Sequence, residues 1–335
     1  MSHLPSLRLD GQIVMVTGAS SGLGLYFAHL LAAAGAEVVL AARSLDKLQA
    51  TVNELHLAGH RAYAVAMDVS NKASVQRAFV EAEQLLGGRT IQLLVNNAGW
   101  CGRSFFLHVE EEEWDTVIDT SLKGSFLVAQ EMSRRLVAAK QAGSIVNIAS
   151  ILGQRVTSAV SPYCAAKAGL IHFSQAMALE LARYHIRVNV LAPGYIETDM
   201  NRDFWLTDAG QQMIKRIPQR RLGQADDLAA PLLLLLSDAG RYLTGSTITV
   251  DGDVTAQQAL AYCRRVLAGW DEAAWMNGTA VEFSTIGATG ESLYCVCPMR
   301  DGRDAPRMIA AICNTLVQAG IVKQPSEALR AMQAE

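Results

Sequence analysis

Seven short apolar runs, separated by segments of helical period, are what this chain has to fold around. Residues 12–17 read QIVMVT, 37–42 EVVLAA, 62–67 AYAVAM, 91–96 IQLLVN, 144–149 SIVNIA, 187–191 RVNVL and 247–250 TITV. Runs of this length that are apolar without strict alternation indicate strands covered on both faces. Helical segments lie between them at 22–34, 44–58, 72–86 and 225–236, with a long stretch at 111–139 and another that opens at Ser161. Parallel strands need crossover connections, so this interleaving predicts a doubly wound α/β fold on a seven-stranded parallel sheet. With 335 residues, half of them hydrophobic, the chain has ample material for a large buried core.

The rhythm stops at Asp251-Gly252-Asp253. Beyond it, residues 255–270 have helical period, and Val281, Phe283 and Thr285 alternate with polar residues. A turn at 287–290 leads to an apolar run at 293–297, which predicts a hairpin, and 306–319 is a second amphipathic helix. The expected organisation is a catalytic domain over 1–253 and a small α-β-β-α appendage over 254–335. It has no low-complexity linker and should therefore be docked rather than tethered. The net charge of −3, with Lys and Arg scattered singly, gives no electrostatic case for nucleic acid or an anionic membrane surface. No apolar run reaches signal-peptide length at the start or membrane-spanning length later, so a cytoplasmic location is expected. Six cysteines in a chain of this size read as reduced thiols. Cys295 and Cys297 share a strand face without a matching Cys/His pair, so no metal site is expected.

The chemistry sits where strands end. Thr17-Gly18-Ala19-Ser20-Ser21-Gly22-Leu23-Gly24 joins the first strand to the first helix with the spacing G-x-x-x-G-x-G. Glycines there let backbone N–H groups approach a pyrophosphate at a helix N-terminus, so Gly18, Ser20, Ser21, Gly22, Leu23 and Gly24 are candidate cofactor contacts. At the end of the second strand, where an NAD site usually carries an acid for the ribose 2′-hydroxyl, the chain has Ala41, Ala42 and Arg43. Arg43 suits a 2′-phosphate, which favours NADP(H) over NAD; the plainer alternative is a solvated arginine before a helix. Asp68 and Val69 follow the third strand, placed to touch adenine. Asn97 and Gly99, within Asn96-Asn97-Ala98-Gly99, follow the fourth. Ser150 closes the fifth strand thirteen residues before Tyr163, and Lys167 lies four after that tyrosine on one helical face. A lysine beside a phenol favours phenolate and lowers a pKa that starts near ~10. Ser161 is expected to cap this helix, with Pro162 in its first turn. Pro193-Gly194 follows the sixth strand beside the expected nicotinamide position, with Ile196 and Thr198 just beyond and Thr198 within reach of its carboxamide.

Taken together, Thr17-Gly18-x-x-x-Gly22-x-Gly24, Asn96-Asn97-Ala98-Gly99, Ser150, Tyr163-x-x-x-Lys167 and Pro193-Gly194 resemble the short-chain dehydrogenase/reductase family over about residues 7–252. The segment 217–252 resembles its ketoacyl reductase and gluconate dehydrogenase branch. The resemblance implies a Rossmann fold and hydride transfer between a nicotinamide and a carbonyl or alcohol. It implies Tyr163 as proton donor or acceptor, Lys167 on the nicotinamide ribose and Ser150 on the substrate oxygen. It also implies a homodimer or homotetramer.

Two departures stand out. Where the family carries Asn in an N-L-K-G-like run to hold a proton-relay water, the chain reads Thr120-Ser121-Leu122-Lys123-Gly124, so Ser121 takes that catalytic position. The appendage is the other, because similar enzymes stop near Gly252. A group of apolar residues, Trp100, Phe105, Phe106, Tyr195, Met200, Phe204 and Trp205, is the candidate substrate pocket and suggests a 3-oxoacyl-like or other apolar carbonyl substrate. His108 and Cys101 lie near the same mouth and are taken as structural. The competing possibility is a catalytically weak nucleotide-binding protein whose appendage recruits a partner; intact Ser150, Tyr163 and Lys167 weigh against it.

Overall fold

β1 (Ile13–Thr17) is the hinge of the sheet, paired in parallel with β2 (Glu37–Ala42) on one side and β4 (Leu93–Asn96) on the other. β3 (Ala62–Ala66), β5 (Gly143–Ile148), β6 (Ile186–Pro193) and β7 (Thr247–Val250) complete seven parallel strands in the order β3-β2-β1-β4-β5-β6-β7. The computed structural model describes residues 6–198, 201–252 and 254, and the strands Val281–Ile286 and Ser292–Cys297. The chain divides into two units, Met1–Val254 and Thr255–Glu335, and the sheet belongs to the first.

The period-two geometry of the strands splits the core into two halves. Val14 and Val16 of β1 face one, with Phe27 and Leu31 of α1 (Gly22–Ala33), Leu48 of α2 (Leu45–Leu57) and Leu232 of α7 (Ala229–Leu236). Ile13 and Met15 face the other, with Phe79 of α3 (Lys72–Leu85), Met132 of α5 (Gly124–Ala139) and Ala178 of α6 (Ser161–Leu181). The chain leaves β1 toward β2 and β3 and returns at β4, which opens a crevice at the carboxyl ends of β1 and β4, where open α/β sheets bind ligands.

One local expectation is corrected and two are refined. The stretch 111–139 is two helices, α4 (Glu111–Ile118) and α5, joined by a π-helical turn at Asp119–Lys123; the extra residue leaves the apolar periodicity almost undisturbed. Ser161 is the first helical residue of α6 rather than its cap. Val160 holds the cap position, no side chain bonds the first turn, and Pro162 still sits where its missing N–H costs nothing. The helix at 225–236 opens as a 3₁₀ turn, Ala225–Leu228, so Pro231 falls in the first turn of α7, where proline is tolerated. In the second unit, β8 (Val281–Ile286) and β9 (Ser292–Cys297) pair antiparallel, from Val281 opposite Cys297 to Ile286 opposite Ser292. The turn at 287–290 and the helices expected at 255–270 and 306–319 lie outside the described residues. Among the described residues no helix is long and apolar enough to cross a membrane.

The amino ends of the strands carry a charge clamp. Glu37, buried at the start of β2, accepts two hydrogen bonds from Arg89 at 2.7 Å each and one from Arg61 at 3.0 Å. Arg89 first, then Arg61, holds its carboxyl below the usual carboxylate range. Arg89→Ala should therefore cost about 2 kcal/mol at pH 7, less than a fully buried broken pair because both guanidiniums reach solvent. The clamp's contribution is present above the ordinary carboxylate pKa and is lost as pH falls through the depressed one. Urea unfolding should therefore show the variant's deficit at pH 7 and near parity with the parent in strong acid.

Candidate active site

Thr17, the last residue of β1, ties both lips of the crevice together. Its Oγ1 accepts the backbone N–H groups of Asn97 and Ala98, each at 3.0 Å. The Asn97 side-chain amide donates to Thr17 O at 3.0 Å and Gly18 O at 3.5 Å. These bonds press the loop after β4 onto the glycine turn. A Cβ at Gly24 would lie 2.2 Å from Gly18 O and 2.6 Å from Asn97 Nδ2. Gly18 itself has φ +66°, a left-handed conformation that side-chain-bearing residues rarely adopt. Ser21 is the N-cap of α1 in extended backbone and spends no hydroxyl on capping; Leu23 leans on the core below. The N–H groups of the first turn of α1, which no intrahelical carbonyl takes, and the Ser21 hydroxyl, which makes no capping bond, could hold a phosphate group.

Around the rim, Arg43 is exposed just past the end of β2 and makes no ion pair among the described residues. Asp68, after β3, accepts from Ser70 N at 3.0 Å and Ser70 Oγ at 2.7 Å, which fixes the turn that also carries the buried Val69. Pro193 ends β6, and Gly194 packs so closely on Asp251 that a Cβ would sit 2.6 Å from its Cα. Thr198 N–H donates to Asn201 Oδ1 at 2.8 Å. The Ile196 side chain is buried in the core and its backbone bridges to Gly223, so a ligand at the rim would meet its main chain.

The reactive groups meet past the end of β5. Ser150 caps the 3₁₀ turn Ile151–Gly153, accepting Leu152 N–H at 3.1 Å, and its hydroxyl lies near enough to the Tyr163 phenol to pull the phenol's pKa down. One turn along α6, Lys167 is 3 % exposed. Its Nζ donates to Ile148 O at 2.7 Å and lies 5.5 Å from the centroid of the Tyr163 ring. Burial lowers the Lys167 ammonium to about 8. Burial also pushes the Tyr163 phenol up, Cys101 adds to that, and Ser150 pulls the other way. The expected downward pull of Lys167 on the phenol is therefore overridden: desolvation outweighs a cation held near the ring with its hydrogen bond directed to a backbone carbonyl.

Ser121 is fully buried in the π-turn and bonded twice to one residue: Trp100 N–H donates to its Oγ at 3.0 Å, and its hydroxyl donates to Trp100 O at 3.1 Å. Of the expected pocket aromatics, Tyr195 and Trp205 stack edge-on at 5.7 Å and Phe204 and Trp205 at 4.9 Å, with Arg103 over the Phe204 ring. Phe105 and Phe106 do not join them and remain exposed; Met200 lies outside the described residues. Among the described residues no cluster of His, Cys, Asp and Glu is arranged to hold a metal ion.

Sequence reasoning missed the polar chain beneath the site. Asn96 Nδ2 donates to Asn147 Oδ1 and Ser125 O at 3.0 Å; Asn147 Nδ2 donates to Ser174 Oγ at 2.8 Å, and Ser174 Oγ donates to Leu170 O at 2.6 Å. All three side chains are buried, and they tie β4 and β5 to the helix that carries Tyr163 and Lys167. The available signal was an asparagine inside each of two apolar runs, LLVN and IVNI.

Residues 18–255 match the family model described as enoyl-(acyl carrier protein) reductase. The chain is 36 % identical to 3-oxoacyl-[acyl-carrier-protein] reductase FabG of Escherichia coli (strain K12) over 246 residues, 73 % of this chain and 98 % of that one. Among solved structures it resembles gluconate 5-dehydrogenase from Burkholderia cenocepacia J2315 in complex with NADP and tartrate, with a TM-score of 0.72 and 34 % identity over 75 % of this chain and 98 % of that one. A short-chain type dehydrogenase/reductase from Mycobacterium marinum aligns with a TM-score of 0.71 and 36 % identity, again over 75 % and 98 % of the two chains.

Proposed function

The chain belongs to the short-chain dehydrogenase/reductase family and is an oxidoreductase acting on CH–OH and C=O groups, and from that premise we propose that it is an NADP(H)-dependent ketone reductase or secondary-alcohol dehydrogenase. The observation that carries this is the convergence of Ser150, Tyr163 and Lys167 at the carboxyl end of β5, beside a glycine cradle no Cβ could share. Gly18, Ser20, Ser21, Gly22, Leu23 and Gly24 would hold the pyrophosphate and Arg43 the 2′-phosphate. Asp68 and Val69 would take the adenine; Asn97, Gly99, Pro193, Gly194, Thr198 and the backbone of Ile196 would take the nicotinamide half. Bound there, the cofactor supplies or takes up a hydride. Ser150 orients the substrate oxygen by hydrogen bonding, Tyr163 gives its phenolic proton to that oxygen during reduction, and Lys167 holds the nicotinamide ribose while placing positive charge beside the phenol. Ketone, reduced cofactor and one proton thus become alcohol and oxidised cofactor.

Solved relatives with bound NADP, among them the gluconate 5-dehydrogenase and a protein described as a 2-deoxy-D-gluconate 3-dehydrogenase from Agrobacterium tumefaciens, support the cofactor assignment. Tyr195, Phe204 and Trp205 support an apolar carbonyl, of the 3-oxoacyl kind, over a polyhydroxy acid. NADPH oxidation should be measured with a 3-oxoacyl thioester and with a ketogluconate. Turnover of the thioester is expected; cofactor binding with turnover of neither would overturn the assignment and favour a catalytically weak binding protein. Arg43→Ala should raise the NADPH Kd about tenfold or more and leave that of NADH nearly unchanged, the difference expected for one charge-assisted phosphate contact. An unchanged ratio in paired titrations would remove the arginine from the site. The chemistry is assigned to residues 1–253, with 254–335 as a separate appendage. Exposed Val137 and Leu179 on α5 and α6 support a homodimer or homotetramer, and the free thiols Cys101 and Cys164 support a cytoplasmic setting.

A further inference from the structure

We propose that Ser121 is a positioning residue that locks the entrance loop, residues 100–108, against the catalytic helix, and that it carries no proton. A hydroxyl has one donor and two acceptor sites. Ser121 spends its donor on Trp100 O at 3.1 Å and one acceptor on Trp100 N–H at 3.0 Å, and its side chain is fully buried. Its single donor is thus committed to a backbone carbonyl and is not available to hold a relay water. The same two bonds fix the first residue of the loop after Gly99.

The π-turn explains why this position can act as a lock. Leu122, the next residue, packs on α6, with its Cδ2 3.1 Å from where a Cβ on Gly169 would be, and it joins the cluster of Ala149, Leu170 and Val190. Neighbouring residues of the turn thus grip the entrance loop and the helix of Tyr163 and Lys167. Gly99 lies between the two: a Cβ there would be 3.4 Å from Ser121 Oγ and 3.6 Å from Lys167 Nζ. Beyond Trp100 the loop carries Arg103, Phe105, Phe106 and Leu107, all exposed; it is tied further along by Ser104 Oγ, which donates to Glu113 Oε2 at 2.6 Å, and by Arg103 over the Phe204 ring, so Ser121 holds its first residue.

This inference rests on the reductase assignment for its kinetic test, and one measurement is independent of it. Ser121→Ala should raise the ketone KM about tenfold, from two lost hydrogen bonds, with kcat within about threefold. The NADPH Kd, the solvent isotope effect and the pH profile should stay as in the parent, and Ser121→Thr, which keeps the hydroxyl, should recover most of the KM. Independently of activity, trypsin should cut the alanine variant after Arg103 about tenfold faster than the parent, in proportion to loop opening. A loss confined to kcat with an enlarged solvent isotope effect would overturn the proposal in favour of a proton route. Unchanged KM and unchanged cleavage at Arg103 would overturn it outright. Faster cleavage in a protein that reduces no ketone would uphold the lock and fail only the reductase assignment.

Discussion

Lys167→Met is expected to lower ketone turnover by about 10³-fold, within the range lost when a positioned acid–base partner is removed, while making the protein no less stable at neutral pH. The ammonium is buried and held by one carbonyl, Ile148 O at 2.7 Å, and desolvation brings its pKa to about 8 from 10.5. The unfolded chain therefore binds more protons than the folded one between those values, so parent stability rises with pH across that window. Below about pH 8 the burial penalty is fully present, on the order of 3 kcal/mol, and methionine of similar length does not incur it. Against this stands the orphaned carbonyl, a cost of about 1–3 kcal/mol. Thermal unfolding from pH 6 to 10 should show a rise in parent stability that the variant lacks. In the parent, kcat/KM for ketone reduction should fall above about pH 8 as Lys167 loses its charge. A profile flat to pH 10, with full turnover in the methionine variant, would remove Lys167 from the mechanism.

Gly24→Ala is expected to be the most damaging single change to cofactor binding. The new methyl would sit 2.2 Å from Gly18 O, a backbone atom that cannot rotate away, and 2.6 Å from the Asn97 amide that pins Thr17 and Gly18. Relief requires either α1 or the glycine turn to move, and both form the cradle. An NADPH Kd raised about 10²-fold or more is expected, with about 1–3 kcal/mol of lost stability from overpacking. Fluorescence titration of bound NADPH reads the first and urea unfolding the second. Parent-like affinity in a folded variant would show that the cofactor does not use this turn.

The sheet was legible because its strands are buried on both faces. Val14 and Val16 serve one core and Ile13 and Met15 the other, so a run such as IVMVT has no amphipathic ambiguity. The glycine turn and the Tyr163–Lys167 spacing were legible because each is a local pattern whose geometry follows from helix period or backbone access. What depended on the third dimension was not. The π-turn at Asp119–Lys123 inserts one residue into a helix pair whose apolar stripe continues across it, and only the Trp100 bonds reveal what it positions. The buried Asn96–Asn147–Ser174 chain joins residues far apart in sequence. The rise of the Tyr163 pKa depends on depth of burial, which neighbouring letters do not encode. Phe105 and Phe106 lie in a loop without periodicity, and nothing local distinguishes an exposed aromatic from one lining a pocket.

The most direct test of the catalytic assignment is NADPH oxidation by the full chain and its Tyr163→Phe variant on one ketone substrate. Phenylalanine keeps the ring that Lys167 approaches at 5.5 Å and removes only the hydroxyl whose pKa Ser150 pulls down. Turnover should fall about 10³-fold, with the NADPH Kd and the melting temperature close to those of the parent. Undiminished turnover in the variant would contradict the assignment of Tyr163 as the proton donor.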